Sequence, residues 1–355
     1  MGGGSAAGGG SANGGGSAVG GGSGTGGGGS ADGGVTALPL GTLTVTQPSI
    51  TCPMGVPTGA KCMTATVSCT GEPDISVTIA DLEPTGAAKG TVIAHSGGSG
   101  TSFYTGNTGN SNHFSQSLTA QNLRFVQVAW ANDWASTGHG IKAAGCRPAT
   151  LFRWIFDNIH QGSRTTAFCG MGSSGGTAAL LYSIAAYGLK DVWDYLQLAA
   201  GPTPSRLDYG CEPSLYGGGP RNLCPLLTDA PWQYDYVATG SSSIVNIANG
   251  WEGTNTCGKP SPPANDVATW ASDGLVSAGD DYDYPQTSMS FWYCTSTPNM
   301  STGQASFYIE QAQPKNGAAD VNCYAGSCQN EEVFQDSSAY TAAVNAMVAN
   351  CVPNH

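Results

Sequence analysis

The first half of the chain is marked by short segments in which apolar and polar residues alternate. Alternation in period two is typical of β-strands with one buried face, and apolar runs of similar length are typical of strands buried on both faces. The pattern predicts alternating strands at residues 62–69 and 74–80, joined by a Gly-Glu-Pro turn, and buried strands at residues 90–95 and 124–130.

From residue 113 onward, segments with helical spacing of apolar residues alternate with further strand segments. In residues 148–160 the spacing is helical, and Pro148 suits the first turn of a helix. The predicted elements are helices near 113–121, 148–160, 175–188, 302–312 and 338–351 and strands at 165–170, 195–200, 288–294 and 321–324. Hairpin strands followed by strand–helix units favour an α/β fold with a mostly parallel sheet flanked by helices.

Two stretches of the chain carry no such periodicity. Residues 1–34 are almost entirely Gly, Ser and Ala, a composition typical of a flexible linker because it has nothing to bury. Residues 208–275 are rich in Gly, Pro, Ser and Cys, and so long an irregular stretch is unusual in a minimal domain. We therefore expect one α/β domain at residues 35–355, in which residues 208–275 form a Cys-rich insertion or lid.

Charge and hydropathy narrow the range of partners. The formal net charge is −12 and only 10% of the residues are charged, so an acidic surface would repel nucleic-acid phosphates. The sequence contains no window of about 18 consecutive apolar residues and therefore predicts no membrane span. We expect a monomer with no nucleic-acid partner and no transmembrane segment.

The 12 cysteines are spread along the chain without the spacing of a zinc site, which favours disulfides and therefore a secreted or cell-surface protein. The Gly/Ser tract also resembles the spacer that follows the acylated cysteine of a bacterial lipoprotein, although that cysteine is absent. Spacing alone does not fix the connectivity. Candidate pairs are Cys146–Cys169, Cys211–Cys224 and Cys323–Cys328.

The strongest chemical motif is the run 172–176, Gly-Ser-Ser-Gly-Gly, which fits G-x-S-x-G with Ser174 at its centre. This pattern is typical of a strained turn between a strand and a helix that exposes a nucleophilic serine, and both flanking elements are predicted here. Residues 170–175 also match G-x-G-x-x-G, but a dinucleotide site belongs in the first βαβ unit. A purely structural Gly/Ser turn is the other alternative.

A second motif, His95-Ser-Gly-Gly-Ser-Gly100, leaves the third predicted strand and resembles the HGGG-type loop of lipases and esterases. With this pair of motifs, residues 62–200 resemble the first two-thirds of an α/β-hydrolase of the cutinase, feruloyl esterase and polyester depolymerase kind. They also resemble exported bacterial proteins with a Cys-rich and Gly-rich composition. The resemblance implies an oxyanion hole formed by the backbone N–H of Gly175 and that of Gly97 or its neighbour.

The chain departs from this family in the rest of the catalytic triad. The family places an acid after a late strand, here residues 295–299, and a histidine on the final loop, here residues 325–332. Neither segment holds the expected residue. The alternative proton acceptors are His139, with Asp133 available to orient it, His95, and the carboxylates of Glu331 or Glu332.

Three aromatic residues and one acid complete the candidate site. Asp208 is a candidate orienting acid because it follows the strand predicted at 195–200. Trp130, Trp134 and Tyr104 fall on or near loops at the same edge of the sheet, where they would contact an aromatic or sugar substrate or pack in the core.

The leading hypothesis is a secreted serine hydrolase that cleaves carboxylic esters, aromatic and polymeric ones among them, through an acyl-Ser174 intermediate. One alternative is a catalytically inactive α/β-hydrolase fold that serves as a surface binding module. The other is an acidic serine peptidase with a glutamate base. None of these hypotheses requires a metal or an organic cofactor.

Overall fold

A computed structural model describes residues 36–106, 109–216, 224, 236, 257–259, 261–294, 299–324 and 337–354. The predicted linker at residues 1–34 lies outside this range. The strands are β1 Thr42–Ile50, β2 Lys61–Ser68, β3 Ile75–Leu82, β4 Gly90–His95, β5 Leu123–Trp130, β6 Ala167–Ser173, β7 Tyr195–Ala199, β8 Asp283–Tyr284, β9 Ser288–Cys294, β10 Gln313–Pro314 and β11 Asp320–Tyr324.

Within the described residues, nine strands form one sheet in the order β1-β2-β3-β5-β4-β6-β7-β9-β11, and β8 pairs with β10 separately. The pairs β1–β2, β2–β3 and β3–β5 are antiparallel. From β5 to β11 all neighbours are parallel. This arrangement confirms the predicted α/β fold, with a mostly parallel sheet that carries helices on its faces.

Helices cover both faces of the sheet. They are α1 Gly109–Ala120, α2 Ile141–Ala144, α3 Cys146–Asn158, α4 Gly175–Ala185, α5 Leu207–Cys211, α6 Ala264–Asp273, α7 Asn299–Gln311 and α8 Ser337–Asn350. In the described ranges, three short 3-10 helices lie at Tyr104–Gly106, Leu189–Asp191 and Pro213–Leu215. The side chains of β4 alternate between two cores: Ile93 packs with α3 and α4, whereas Val92 packs with α1 and α8.

Strand β1 and helix α6 are among the elements that the sequence pattern did not predict. Strand β1 lies at the edge of the sheet and most of its residues are exposed. Leu43 and Val45 alternate with exposed threonines, but the register with β2 shifts twice after Val45 and the alternation does not continue. Helix α6 lies inside the stretch predicted as irregular and buries Trp270. Residues 208–275 are therefore not irregular throughout.

All three cysteine pairs proposed from spacing are wrong. The described disulfides are Cys52–Cys62, Cys69–Cys146, Cys169–Cys351, Cys211–Cys257 and Cys224–Cys323. Cys169 lies in β6, so its bond to Cys351 ties the strand that leads to Ser174 to the end of α8. Among the described residues no cysteine is free, and no helix is long and apolar enough to span a membrane.

Candidate active site

Ser174 occupies the single residue between β6 and α4. Its backbone has φ 49° and ψ −110°, a region that residues with a side chain rarely adopt. Such a conformation costs on the order of 1–3 kcal/mol and persists only where the surroundings impose it. Its N–H donates to the carbonyl of Ala199 at 2.8 Å, and its carbonyl accepts the first helical bond of α4 from Ala178 at 3.1 Å. The turn predicted from the motif is therefore present and strained.

The glycines around Ser174 lie where no side chain would fit. A Cβ on Gly172 would come within 2.6 Å of the carbonyl carbon of Gly176. A Cβ on Gly176 would overlap the carbonyl oxygen of His95, and a Cβ on Gly175 would overlap the carbonyl oxygen of Gly98. The elbow and the loop after β4 thus touch backbone to backbone, which explains why both motifs consist of glycine.

This contact brings two sets of backbone N–H groups together beside the serine. Gly97 approaches so closely that its Cβ would lie 3.4 Å from the Cβ of Ser174. Within the described part of the chain, the N–H groups of Gly97, Gly98 and Gly175 have no hydrogen-bond acceptor. Gly175 is also the first residue of α4, where free N–H groups and the helix dipole favour an anion. The arrangement suits an oxyanion hole.

A cavity of about 150 Å³ opens beside Ser174, which is partly exposed. Its walls come from the glycine loop, from the segment after β5, and from the start of α4. The lining residues are Gly98, Ser99, Asp133, Trp134, Ala135, Ile141, Ser174, Gly175, Ala178 and Thr203. A group bound here would therefore contact the serine and the N–H groups at the same time.

His95 lies at the end of β4 and is fully buried. Its Nδ1 is 2.9 Å from the carbonyl oxygen of Ser96, and its Nε2 is 2.9 Å from the indole nitrogen of Trp130. Because the carbonyl can only accept and the indole can only donate, Nδ1 carries the proton and Nε2 accepts. Burial lowers the pKa of His95 to about 4. Both nitrogens thus hold the loop after β4 against β5, and neither contacts Ser174.

His139 lies on the loop between β5 and α2, but it does not line the cavity. Its side chain is 63% exposed, and its Nδ1 is 3.2 Å from Oε1 of the buried Glu72. The predicted partner, Asp133, instead accepts a hydrogen bond from the N–H of Ala135 at 3.0 Å. The structure therefore brings Asp133, not His139, to the wall of the cavity.

Asp208 lies in α5 and is buried. Its two carboxylate oxygens accept hydrogen bonds from Nε and Nη2 of Arg206 at 2.8 and 2.6 Å. This bidentate pair compensates the buried charge locally. Neither His95 nor His139 hydrogen-bonds to Asp208, so Asp208 orients neither of these two histidines. Glu331 and Glu332, the other proposed bases, lie outside the described residues.

The three aromatic residues separate into different roles. Tyr104 is 1% exposed and packs edge-on against Phe114 in the core, so it does not line the cavity. Trp130 is 2% exposed and donates its indole hydrogen bond to His95. Trp134 alone of the three lines the cavity with Ser174. Asp133 also lines the cavity, whereas the sequence analysis assigned it the role of orienting His139. Its position next to Trp134 in the sequence could have indicated that it lies in the cavity wall.

No protein-family model and no curated protein matches the chain. Solved structures match at low identity. Brefeldin A esterase, a bacterial homologue of human hormone-sensitive lipase, is 13% identical over 85% of this chain and 80% of its own, with a TM-score of 0.49. Acetyl xylan esterase 1 from Thermoanaerobacterium is 13% identical over 86% and 88%, with a TM-score of 0.48. A lipase in its open form is 13% identical over 78% and 94%, with a TM-score of 0.45. These likenesses concern the fold alone.

Proposed function

We propose that the protein is a serine hydrolase that cleaves carboxylic esters through an acyl-Ser174 intermediate. The observation that carries this proposal is the strained Ser174, which faces a cavity together with backbone N–H groups that lack an acceptor among the described residues. Strain of this kind is retained at functional sites because the surrounding structure imposes it. A structural turn alone would not need free donors beside the hydroxyl.

In the proposed reaction, Oγ of Ser174 attacks the ester carbonyl carbon and the carbonyl oxygen becomes an oxyanion. The N–H groups of Gly175 and of Gly97 or Gly98 stabilise this charge, and each such donor is typically worth about 3 kcal/mol in the transition state. The bond to the alcohol oxygen then breaks, and the alcohol leaves with the proton that Ser174 gave up. Water attacks the acyl-serine by the same steps and releases the acid.

We propose Glu331 as the proton acceptor. Its position after β11 is the one in which the hydrolase pattern places the base. Both nitrogens of His95 hold other partners, and His139 pairs with Glu72 away from the cavity. A carboxylate base accepts a serine proton most usefully in mildly acidic solution.

We also propose that the protein works outside the cytoplasm. Five disulfides among the described residues need an oxidising compartment to form and persist. The Gly/Ser-rich first 34 residues would suit a tether between a cell surface and the hydrolase domain.

The test is hydrolysis of p-nitrophenyl acetate combined with labelling by a fluorophosphonate probe between about pH 4 and 8. We expect turnover and one covalent label, both abolished by Ser174→Ala. Ser173→Ala is the matched control, because Ser173 is the neighbouring serine of the same motif and should leave labelling intact. An unlabelled Ser174 with no turnover across this range would contradict the proposal.

A catalytically silent binding module is the second candidate. The observation that favours it is that the Ser174 hydroxyl has no hydrogen-bond partner among the described residues. In that case the cavity would bind acyl compounds without covalent chemistry, and the probe would not react. Turnover of casein, with little action on esters, would instead indicate the peptidase alternative.

A further inference from the structure

We propose that the cavity beside Ser174 is an acyl pocket that takes one short, uncharged acyl group. This inference rests on the proposed function and names the substrate class of the same site. The cavity contains Ser174, the oxyanion donor Gly175, and Ala178 one turn further along α4. A group attached to a carbonyl carbon at Ser174 would therefore extend along the first turn of α4.

The volume of the pocket limits the size of that group. At about 150 Å³ it is well below the usual size of a pocket for a drug-sized ligand. A cavity of about this volume accommodates one benzene molecule. An acetyl, butyryl or benzoyl group fits within this limit, whereas an octanoyl chain exceeds it. The rest of a larger ester, including a polymer, would have to lie on the alcohol side.

The walls of the pocket are held so that it cannot expand easily. The N–H of Ile141 donates to the carboxylate of Asp273 at 2.8 Å. The carbonyl of Trp134 accepts a hydrogen bond from the buried Arg147 at 2.9 Å. The backbone N–H of Trp134 donates to the carbonyl of Ser99 at 3.3 Å. Enlarging the pocket would break these bonds, so a long acyl chain gains little by induced fit.

The charge of the pocket excludes acyl groups that carry a carboxylate. Among the lining residues, all of which are described, Asp133 is the one that carries a charge. One of its oxygens accepts a hydrogen bond from the N–H of Ala135, and the chain as a whole has a net charge of −12. A succinyl or malonyl group would place a second negative charge beside this carboxylate, which is unfavourable.

The experiment measures kcat/KM for p-nitrophenyl acetate, butyrate, octanoate and benzoate, normalised to the fraction labelled by the fluorophosphonate probe. We expect kcat/KM for octanoate to be at least about tenfold below that for butyrate, because a pocket discriminates by this factor or more per excess methylene. Ile141→Ala should enlarge the pocket and raise the octanoate/butyrate ratio. Ile155→Ala is the matched control, since Ile155 is also buried but lies in α3 and does not line the pocket.

Charge is tested with the half-ester substrate p-nitrophenyl succinate. Asp133→Asn should raise its kcat/KM relative to butyrate several-fold. Labelling of Ser174 together with a flat chain-length profile, or with one that Ile141→Ala and Ile155→Ala change equally, would overturn the acyl-pocket proposal and leave the proposed function standing.

Failure of the proposed function has a different result, which is the absence of any label or turnover. The pocket is then tested by binding of butyramide and octanamide, neutral acyl compounds that need no catalysis, measured by ligand-observed NMR. Stronger binding of butyramide, with a preference that shifts toward octanamide in Ile141→Ala, would support the pocket. Equal binding of butyramide and octanamide, in both the unmodified protein and Ile141→Ala, would overturn the pocket proposal.

Discussion

The two halves of the candidate site differ in how completely they follow the serine-hydrolase pattern. The nucleophile half consists of Ser174, the glycines around it and the loop after β4. Each of these parts matches the serine-hydrolase pattern. The proton-transfer half is expected at residues 295–299 and 325–332, where the sequence holds no acid in the first segment and no histidine in the second. One half of the pattern is therefore intact and the other is altered.

The two halves are subject to different physical constraints. The nucleophile half depends on backbone contacts that only glycine allows, so any change there disrupts the geometry. The proton-transfer half depends on a group that accepts a proton, and a carboxylate can replace an imidazole if the working pH is lower. The geometry around Ser174 can thus persist where the base has changed or has been lost.

The largest expected effect comes from Gly175→Ala. The new Cβ would overlap the carbonyl oxygen of Gly98 and push the two loops apart. Losing one oxyanion donor typically lowers kcat by about 100- to 1000-fold, and we expect a loss of at least this size in p-nitrophenyl acetate hydrolysis. Gly106→Ala is the control, because a Cβ at Gly106 meets nothing within 4 Å. Equal activity of Gly175→Ala and Gly106→Ala would contradict the claim that the nucleophile half depends on contacts that only glycine allows.

The second prediction concerns the altered half. Glu331→Gln should lower kcat by about 100-fold or more, because general-base catalysis typically contributes this much. Glu332→Gln is the matched control, and His139→Ala should have little effect because that ring pairs with Glu72. In the unmodified protein the rate should rise with a pKa of about 4 to 5, the ordinary range of a carboxyl group. A rise near about 6.5, lost in His139→Ala, would assign the base to histidine instead.

The fold followed from the sequence more readily than the site did. Strands β2 to β7 and β9 place residues in the core, so their apolar patterns indicated them, whereas in the exposed edge strand β1 the alternation is limited to Leu43 and Val45. Ser174 and its glycines lie within one short segment whose local geometry fixes their role. The partner of His139 is Glu72, which lies on a segment far away in sequence, and Cys146 likewise pairs with the distant Cys69. No local pattern encodes those contacts.

The third prediction uses the pKa of His95. Burial lowers it from 6.5 to about 4, so between these values the unfolded chain binds a proton that the folded protein does not. The free energy of unfolding should therefore fall as pH decreases through this window, by about 3 kcal/mol in total from this group. His160, whose pKa burial also lowers, acts in the same direction. Denaturant titrations from about pH 7 to 4 measure this loss.

His95→Gln should remove the larger part of that pH dependence, since an amide does not titrate. His113→Gln is the control, because His113 is exposed on α1. An unchanged pH dependence in His95→Gln would show that the ring beside Trp130 is not held in its neutral form. The nucleophile half would then be less rigid than the contacts of His95 indicate.

The smallest expected effect is a gain in stability in Ser174→Gly. Glycine tolerates the positive φ at this position, so relief of strain should raise the free energy of unfolding by about 1 kcal/mol. Thermal and denaturant unfolding measure the change, with Ser173→Gly as the control at a position in strand β6. A loss of stability in Ser174→Gly would mean that the elbow is not strained by its serine.

Detection of the acyl-enzyme itself tests the proposed role of Ser174 most directly. The protein is mixed with p-nitrophenyl acetate, quenched in acid within the first turnovers, digested and analysed by mass spectrometry. We expect one acetyl group on the peptide that carries Ser174, absent from Ser174→Ala. An acetyl group on another residue, or turnover of the ester with no acetyl group on Ser174, would contradict this role.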